Sequence, residues 1–209
     1  MEDAVARRTH SRPAREELLS LVAARKGHFR LESGHHGESW FELDQLFRRP
    51  ALLRPFAGDL ANRISGYGVD AICGPLTGGA LLAWMIADQL GLEFLFAERR
   101  VSGRAGLFPV DYLIATALRG QVKGRRVAIA DDAVSAGSAV RATYADLVAL
   151  GAVPVLIGAL LVMGPGAAAF AAEKGIPLER LADLPTAIWA PAECPMCAAG
   201  TPLTEAGTV

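Results

Sequence analysis

The chain has 209 residues, enough for one domain with a full core and a small appendage. Apolar residues make up 52% and charged residues 21%, which places it among globular proteins and not among disordered or fibrous ones. A formal net charge of −1 leaves no basic footprint for nucleic acid and no polybasic membrane signal, so neither partner is expected.

Met1–Arg12 is polar and arginine-containing with no apolar stretch behind it, and reads as a flexible tail rather than a signal peptide. Pro13–Arg25 has the spacing of a helix, with Pro13 in its first turn, Leu18, Leu21 and Val22 on one face, and Gly27 as its stop. His28–Ser33 and Ser39–Asp44 read as short strands joined across Gly34–Gly37. His35 and His36 are adjacent in an extended segment and point to opposite sides, so one metal does not readily take both. No cysteine or carboxylate stands nearby at ligand spacing, and the pair is read as lid residues, not ligands.

Pro50–Gly66 carries a second helical stripe, Leu53, Phe56, Leu60 and Ile64. A buried-type strand at Val69–Cys73 then runs into the turn Gly74-Pro75-Leu76-Thr77-Gly78-Gly79 and an apolar helix at Gly79–Gly91. Glu93–Ala97 is a further strand. It opens into Glu98–Gly106, basic and glycine-containing, with the composition of a mobile surface loop.

The most informative stretch is Val127–Val140. Val127–Ala130 fits a strand covered on both faces. Asp131 and Asp132 follow, then the small residues Ser135, Ala136, Gly137 and Ser138. Helical spacing resumes at Val140 and stops at Gly151. A helix start leaves backbone N–H groups without intrahelical partners at the positive end of its dipole, a ready phosphate cradle. Carboxylates at its mouth suit sugar hydroxyls or a metal. The turn at Gly74–Gly79 offers a second such cradle.

Val153–Met163 is another core strand, too short to span a bilayer; Ala167–Gly175 reads as a helix and Thr186–Ala190 as a strand. Strand and helix patterns alternate without a repeat. The expected fold class is therefore α/β, a mostly parallel sheet flanked by helices, with ligand loops at the strands' carboxyl ends. Three cysteines, an odd number, argue against a disulfide framework and fit a reducing cytoplasm. Cys194-Pro195-Met196-Cys197 is half a zinc site, and the third cysteine, Cys73, lies in a core strand.

Asp131-Asp132-Ala133-Val134-Ser135-Ala136-Gly137-Ser138 resembles the 5-phosphoribosyl-1-pyrophosphate (PRPP) motif of type I phosphoribosyltransferases. Gly27-His28-Phe29-Arg30-Leu31-Glu32-Ser33-Gly34 is similar to the N-terminal hood of the orotate-type members, and the Trp-x-Pro-x-x-Cys-Pro-x-Cys ending resembles that of some bacterial ones. The resemblance implies one phosphoribosyltransferase domain over 13–209, with a hood at 13–49 and a C-terminal tail at 191–209. It implies pentosyl transfer from PRPP to a base, orotate first, with Mg²⁺, in a cytoplasmic homodimer. The implied catalytic residues are Asp131, Asp132, Arg99 and Arg104. PRPP would be bound by Arg100, by Leu76, Thr77, Gly78 and Gly79 at the pyrophosphate, and by Asp131, Asp132, Ala133, Val134, Ser135, Ala136, Gly137, Ser138 and Ala139 at the ribose phosphate; Ser135 and Phe41 would touch the base.

Two departures bear on the base. Glu32 stands where a basic residue is common in the family, and Met163-Gly164 where many orotate enzymes carry Asp-Arg. A bidentate arginine is the natural partner of a carboxylate. The alternative is a PRPP-binding regulator of the same fold that has lost catalysis. An unrelated nucleotide-binding domain is disfavoured by the absence of a Walker lysine and of a Gly-x-Gly-x-x-Gly turn.

Overall fold

A computed structural model of the protein describes residues 12–205. The expected N-terminal tail lies, but for Arg12, outside the described residues. In chain order the elements are α1 (Arg12–Ser20), β1 (Ala23–Arg30), β2 (His36–Glu42), α2 (Pro50–Ile64), β3 (Ala71–Pro75), α3 (Gly78–Leu90), β4 (Glu93–Val101) and β5 (Val110–Ile114). There follow β6 (Arg126–Val134), α4 (Ser138–Ala149), β7 (Val153–Val162), α5 (Gly166–Lys174), β8 (Leu178–Asp183), β9 (Ile188–Trp189), α6 (Pro195–Ala198) and β10 (Thr204–Glu205).

The larger sheet has the order β5-β4-β3-β6-β7-β8 and is parallel except for β5. One face packs on α2 and α3 through Leu53, Leu60, Ile64, Leu82 and Ile86. The other packs on α4 and α5 through Val140, Leu147, Phe170 and Ala171. Burying each such Leu or Ile stabilises the fold by about 1.5–3 kcal/mol. Because both faces are covered, the central strands are continuously apolar, and Val127–Ala130 of β6 are wholly inaccessible.

The smaller sheet has the order β10-β1-β2-β9. The hood is thus built from both ends of the chain, not from residues 13–49 alone. Helix α1 stops at Ser20; Leu21 and Val22 turn, and the remainder of the expected Pro13–Arg25 helix is strand, Ala23–Lys26 pairing with Glu42–Ser39. Alanine, arginine and lysine are good helix formers, but pairing with β2 overrides that local preference, and Gly27 lies inside β1 instead of ending a helix.

The expected loop at Glu98–Gly106 is also partly strand, since β4 runs to Val101 and turns back as β5. Its charged residues lie along exposed backbone, where no apolar run announces a strand. Neither β5 nor β8 was legible in the sequence; both are edge strands of the sheet, short of the continuous apolar signal of the centre. Asp146 of α4 fastens β5, accepting from the Ile114 N–H at 2.7 Å and from both terminal nitrogens of Arg119 at 3.0 and 3.1 Å.

Candidate active site

Neighbouring strands β3 and β6 lead away from each other. From β3 the chain passes through α3 to β4 on one side; from β6 it passes through α4 to β7 on the other. The loops after these two strands therefore part and leave a crevice at their carboxyl ends, the place where open α/β sheets bind ligands.

Asp131 and Asp132 lie near the carboxyl end of β6, which runs on to Val134 past the strand end expected at Ala130, and they stand beside that crevice, 7% and 8% exposed. Their carboxylates accept backbone N–H bonds, Asp131 from Asp132 at 3.1 Å and Asp132 from Ala133 at 3.0 Å. Among the described residues neither has a cationic partner. Burial first, then repulsion from Asp132, pushes the Asp131 carboxyl well above the ordinary carboxylate range; burial also raises Asp132. Two buried acids lacking counter-charge are set up to receive hydroxyl donors or a hard cation.

The turn after β3 lies directly against them. A Cβ on Gly79 would stand 2.5 Å from Asp131 Oδ1, and one on Gly78 would be closer still to Asp132 Oδ2. Only glycine allows that approach. On the other side Gly137, at φ +84°, makes the left-handed turn that starts α4. Gly166 of α5 packs against this loop, and a Cβ there would meet Ser135 O at 2.8 Å.

A cavity of about 200 Å³ lies between this loop and the hood. Asp131, Ala133, Val134, Ser135, Ala136, Gly137, Ser138, Ala139 and Phe41 all line it, so the sequence-predicted ribose-phosphate and base residues, Asp132 excepted, are brought together. Leu76, Thr77, Gly78, Gly79 and Asp132 are not in its wall; Gly78 and Gly79 stand behind the acids. The wall also includes Met163, at the position read above as bearing on the base, and Ser33, Ser39, Trp40, Thr186 and Ile188, which sequence reasoning missed. Ser39 and Thr186 have buried hydroxyl oxygens with no partner among the described residues, a state that invites a ligand's polar groups. Ser39 stands two residues before Phe41 on β2 and shares its face, a period-two signal that could have found it. Thr186 carries no such mark.

The three arginines separate. Arg99 donates Nε–H to Glu32 at 2.7 Å; Tyr112 O–H donates to the same carboxylate at 2.9 Å and Ser138 O–H at 3.1 Å. Glu32 therefore joins hood, hairpin and phosphate loop. Its bond to Arg99 raises the guanidinium's proton affinity, and burial raises that of Tyr112. Arg100 and Arg104 do not approach the cavity. Arg100 pairs with Glu98, and Arg104 with Asp111 at 2.6 Å, across its own hairpin. Both were expected at the PRPP site; in the described conformation each is instead paired with a carboxylate of its own hairpin. The hairpin is docked on the hood: Phe108 N–H donates to Ser33 O at 2.8 Å, and its ring meets His35 edge-on.

Residues 42–171 match the Phosphoribosyl transferase domain family, and the chain belongs to that family. It is an enzyme chain of the phosphoribosyltransferase class, similar over nearly its whole length to orotate phosphoribosyltransferases. It is 31% identical to the orotate phosphoribosyltransferase of Caldanaerobacter subterraneus subsp. tengcongensis, over 92% of this chain and 95% of that one. Against the Thermotoga maritima orotate phosphoribosyltransferase it is 30% identical, covering 93% and 97%. Among solved structures, orotate phosphoribosyltransferase from Aeropyrum pernix superposes with a TM-score of 0.61 at 24% identity, covering 78% of this chain and 88% of that one, a likeness of fold.

Proposed function

We propose that the protein transfers the 5-phosphoribosyl group of PRPP to a small base, with orotate the first candidate. The observation that carries this is the pair of buried acids at the end of β6, held between the Gly78-Gly79 turn and the amide-lined start of α4. The crevice offers hydroxyl acceptors at its middle and N–H donors at either side, the complement of a sugar carrying phosphate at one end and pyrophosphate at the other.

In this reading the backbone N–H groups of Ser135–Ala139 hold the 5-phosphate, and Asp131 and Asp132 orient the ribose hydroxyls. Leu76–Gly79 receives the pyrophosphate, with Arg99 countering its charge once released from Glu32. Little covalent chemistry is asked of side chains; positioning and stabilisation of the departing negative charge do the work. The carboxylate oxygens of Asp131 and Asp132 are the hard donors that would hold Mg²⁺, which would supply charge stabilisation for the departing pyrophosphate. A homodimer and a cytoplasmic location belong to the same proposal. Among the described residues no helix is long and apolar enough to cross a membrane.

One observation favours a second base. Among the described residues no lysine or arginine lines the cavity, whereas Glu32 and Asp131 do. Gly164, where an arginine would read a carboxylate, has φ +74° and lines only a neighbouring depression. Such a wall suits a base presenting hydrogen-bond donors. The test is a PRPP- and Mg²⁺-dependent assay with orotate, uracil and purines in parallel. Turnover with orotate supports the first reading, and turnover confined to a base without a carboxylate supports the second. PRPP binding with no turnover on any base would leave a regulator.

A further inference from the structure

Away from the cavity, four side chains that stand far apart in the sequence converge. His28 of β1, His36 of β2, and Cys194 and Cys197 around α6 place one donor atom each within 4.8 Å of one another. The two histidines and Cys194 are buried, and Cys197 is at the surface.

The distances match a coordination polyhedron. Zn–N bonds of ~2.0–2.1 Å and Zn–S bonds of ~2.3 Å give tetrahedral edges of about 3.3 Å between nitrogens and about 3.5 Å between nitrogen and sulfur. Here His28 Nε2 and His36 Nδ1 are 3.1 Å apart. Three of the four nitrogen–sulfur separations are 3.4 Å (His28 to Cys194), 3.7 Å (His28 to Cys197) and 3.2 Å (His36 to Cys197), and the fourth, His36 to Cys194, lies within 4.8 Å.

Hydrogen bonding alone does not account for this convergence. His28 Nδ1 lies 2.8 Å from the Thr201 carbonyl, an acceptor, so Nδ1 carries the proton and Nε2 of the neutral ring holds a bare lone pair. That single lone pair faces one nitrogen and two sulfurs. A ring N–H donated to a backbone carbonyl is also how metal-bound imidazoles are commonly oriented.

We infer that His28, His36, Cys194 and Cys197 form a structural zinc site that clasps the C-terminal tail to the hood. On binding, both thiols release their protons to solvent. Two thiolates then balance the dication, and two neutral imidazoles complete a closed tetrahedron with no open position for catalysis. The ion would join segments 166 residues apart, His28 and Cys194. The adjacent β10–β1 and β9–β2 pairings involve only two residue pairs each, too few to hold the tail by themselves. The loop between β1 and β2 carries Glu32 and Ser33 into the cavity wall, so the clasp also steadies the roof of the active site. The site does not rest on the proposed reaction.

The test is metal analysis of the full chain, purified under reducing conditions without chelator. About one zinc per chain is expected, with two sulfur and two nitrogen neighbours by X-ray absorption. Replacement by Co(II) should give the ligand-field bands of a tetrahedral ion and a thiolate-to-cobalt charge-transfer band. Cys197→Ser, at an exposed position that leaves the core untouched, should lose most of the zinc while keeping the wild-type circular dichroism. Stripping zinc from the wild type should lower its melting temperature and leave that of Cys197→Ser unmoved. Metal-free protein with no thiolate–cobalt band, zinc retained in both Cys194→Ser and Cys197→Ser, or a Cys194–Cys197 disulfide in freshly prepared protein would each overturn the inference. PRPP binding, measured on the same samples, separates this outcome from failure of the catalytic reading.

Discussion

Replacing Glu32 by glutamine removes a charge and keeps the shape, which isolates what that carboxylate does. It accepts from Arg99, Tyr112 and Ser138, and Arg99 and Ser138 are groups a phosphorylated ligand is proposed to need. The Arg99–Glu32 side chains are 48% and 32% exposed, so water screens the pair and it is worth about 0.2–1 kcal/mol. The Ser138 bond adds a similar amount, since net hydrogen-bond contributions run to about 1 kcal/mol. Releasing Arg99 and Ser138 to a ligand thus costs the wild type roughly 1 kcal/mol, about fivefold in affinity. Glu32→Gln is expected to bind PRPP–Mg²⁺ about two- to sixfold more tightly by isothermal titration calorimetry, with Arg99→Gln weakening it. Equal or weaker PRPP binding in Glu32→Gln would refute the competition and make Glu32 a substrate-reading group instead.

Asp131→Asn should weaken PRPP binding by about 10- to 100-fold, the worth of hydrogen bonds to a charged acceptor, read by the same calorimetry. Its effect on the free protein has the opposite sign. Because the folded-state carboxyl titrates above its unfolded value, the wild type is favoured at low pH and loses that contribution as pH rises through the raised value. Melting temperatures of Asp131→Asn minus wild type should therefore grow more positive from pH 4.5 to 7.5, and a flat difference would count against a buried, uncompensated charge. Gly78→Ala forces a methyl group into Asp132, and the displacement should lower kcat/KM by about 100-fold in steady-state kinetics while circular dichroism stays native. Thr186→Val and Ser39→Ala remove hydroxyls that make no bond among the described residues, so melting temperature should hold. If they meet the base, its KM rises about two- to tenfold with KM for PRPP unchanged.

The sequence by itself determined the class and the centre of the site. Val127–Ala130, the two acids after it and the small residues of the following turn are contiguous, and one strand–loop–helix unit sets their geometry, so their order along the chain is nearly their order in space. Gly78 and Gly79 were legible as part of a glycine-rich turn suited to an anion, but that they let this turn close against Asp131 and Asp132 only the tertiary structure shows. What the tertiary structure decided is everything that depends on pairing between distant segments. Ala23–Lys26 became strand because β2 was available to pair with it, and Arg100 and Arg104 turned away because the hairpin supplied nearer acids. His36, read as a lid residue for want of a cysteine nearby, meets Cys197 at 3.2 Å, because strands β9 and β10 carry the far end of the chain back beside the first hairpin. Local spacing records which neighbours a residue has along the backbone; burial and strand pairing choose those it meets across the fold.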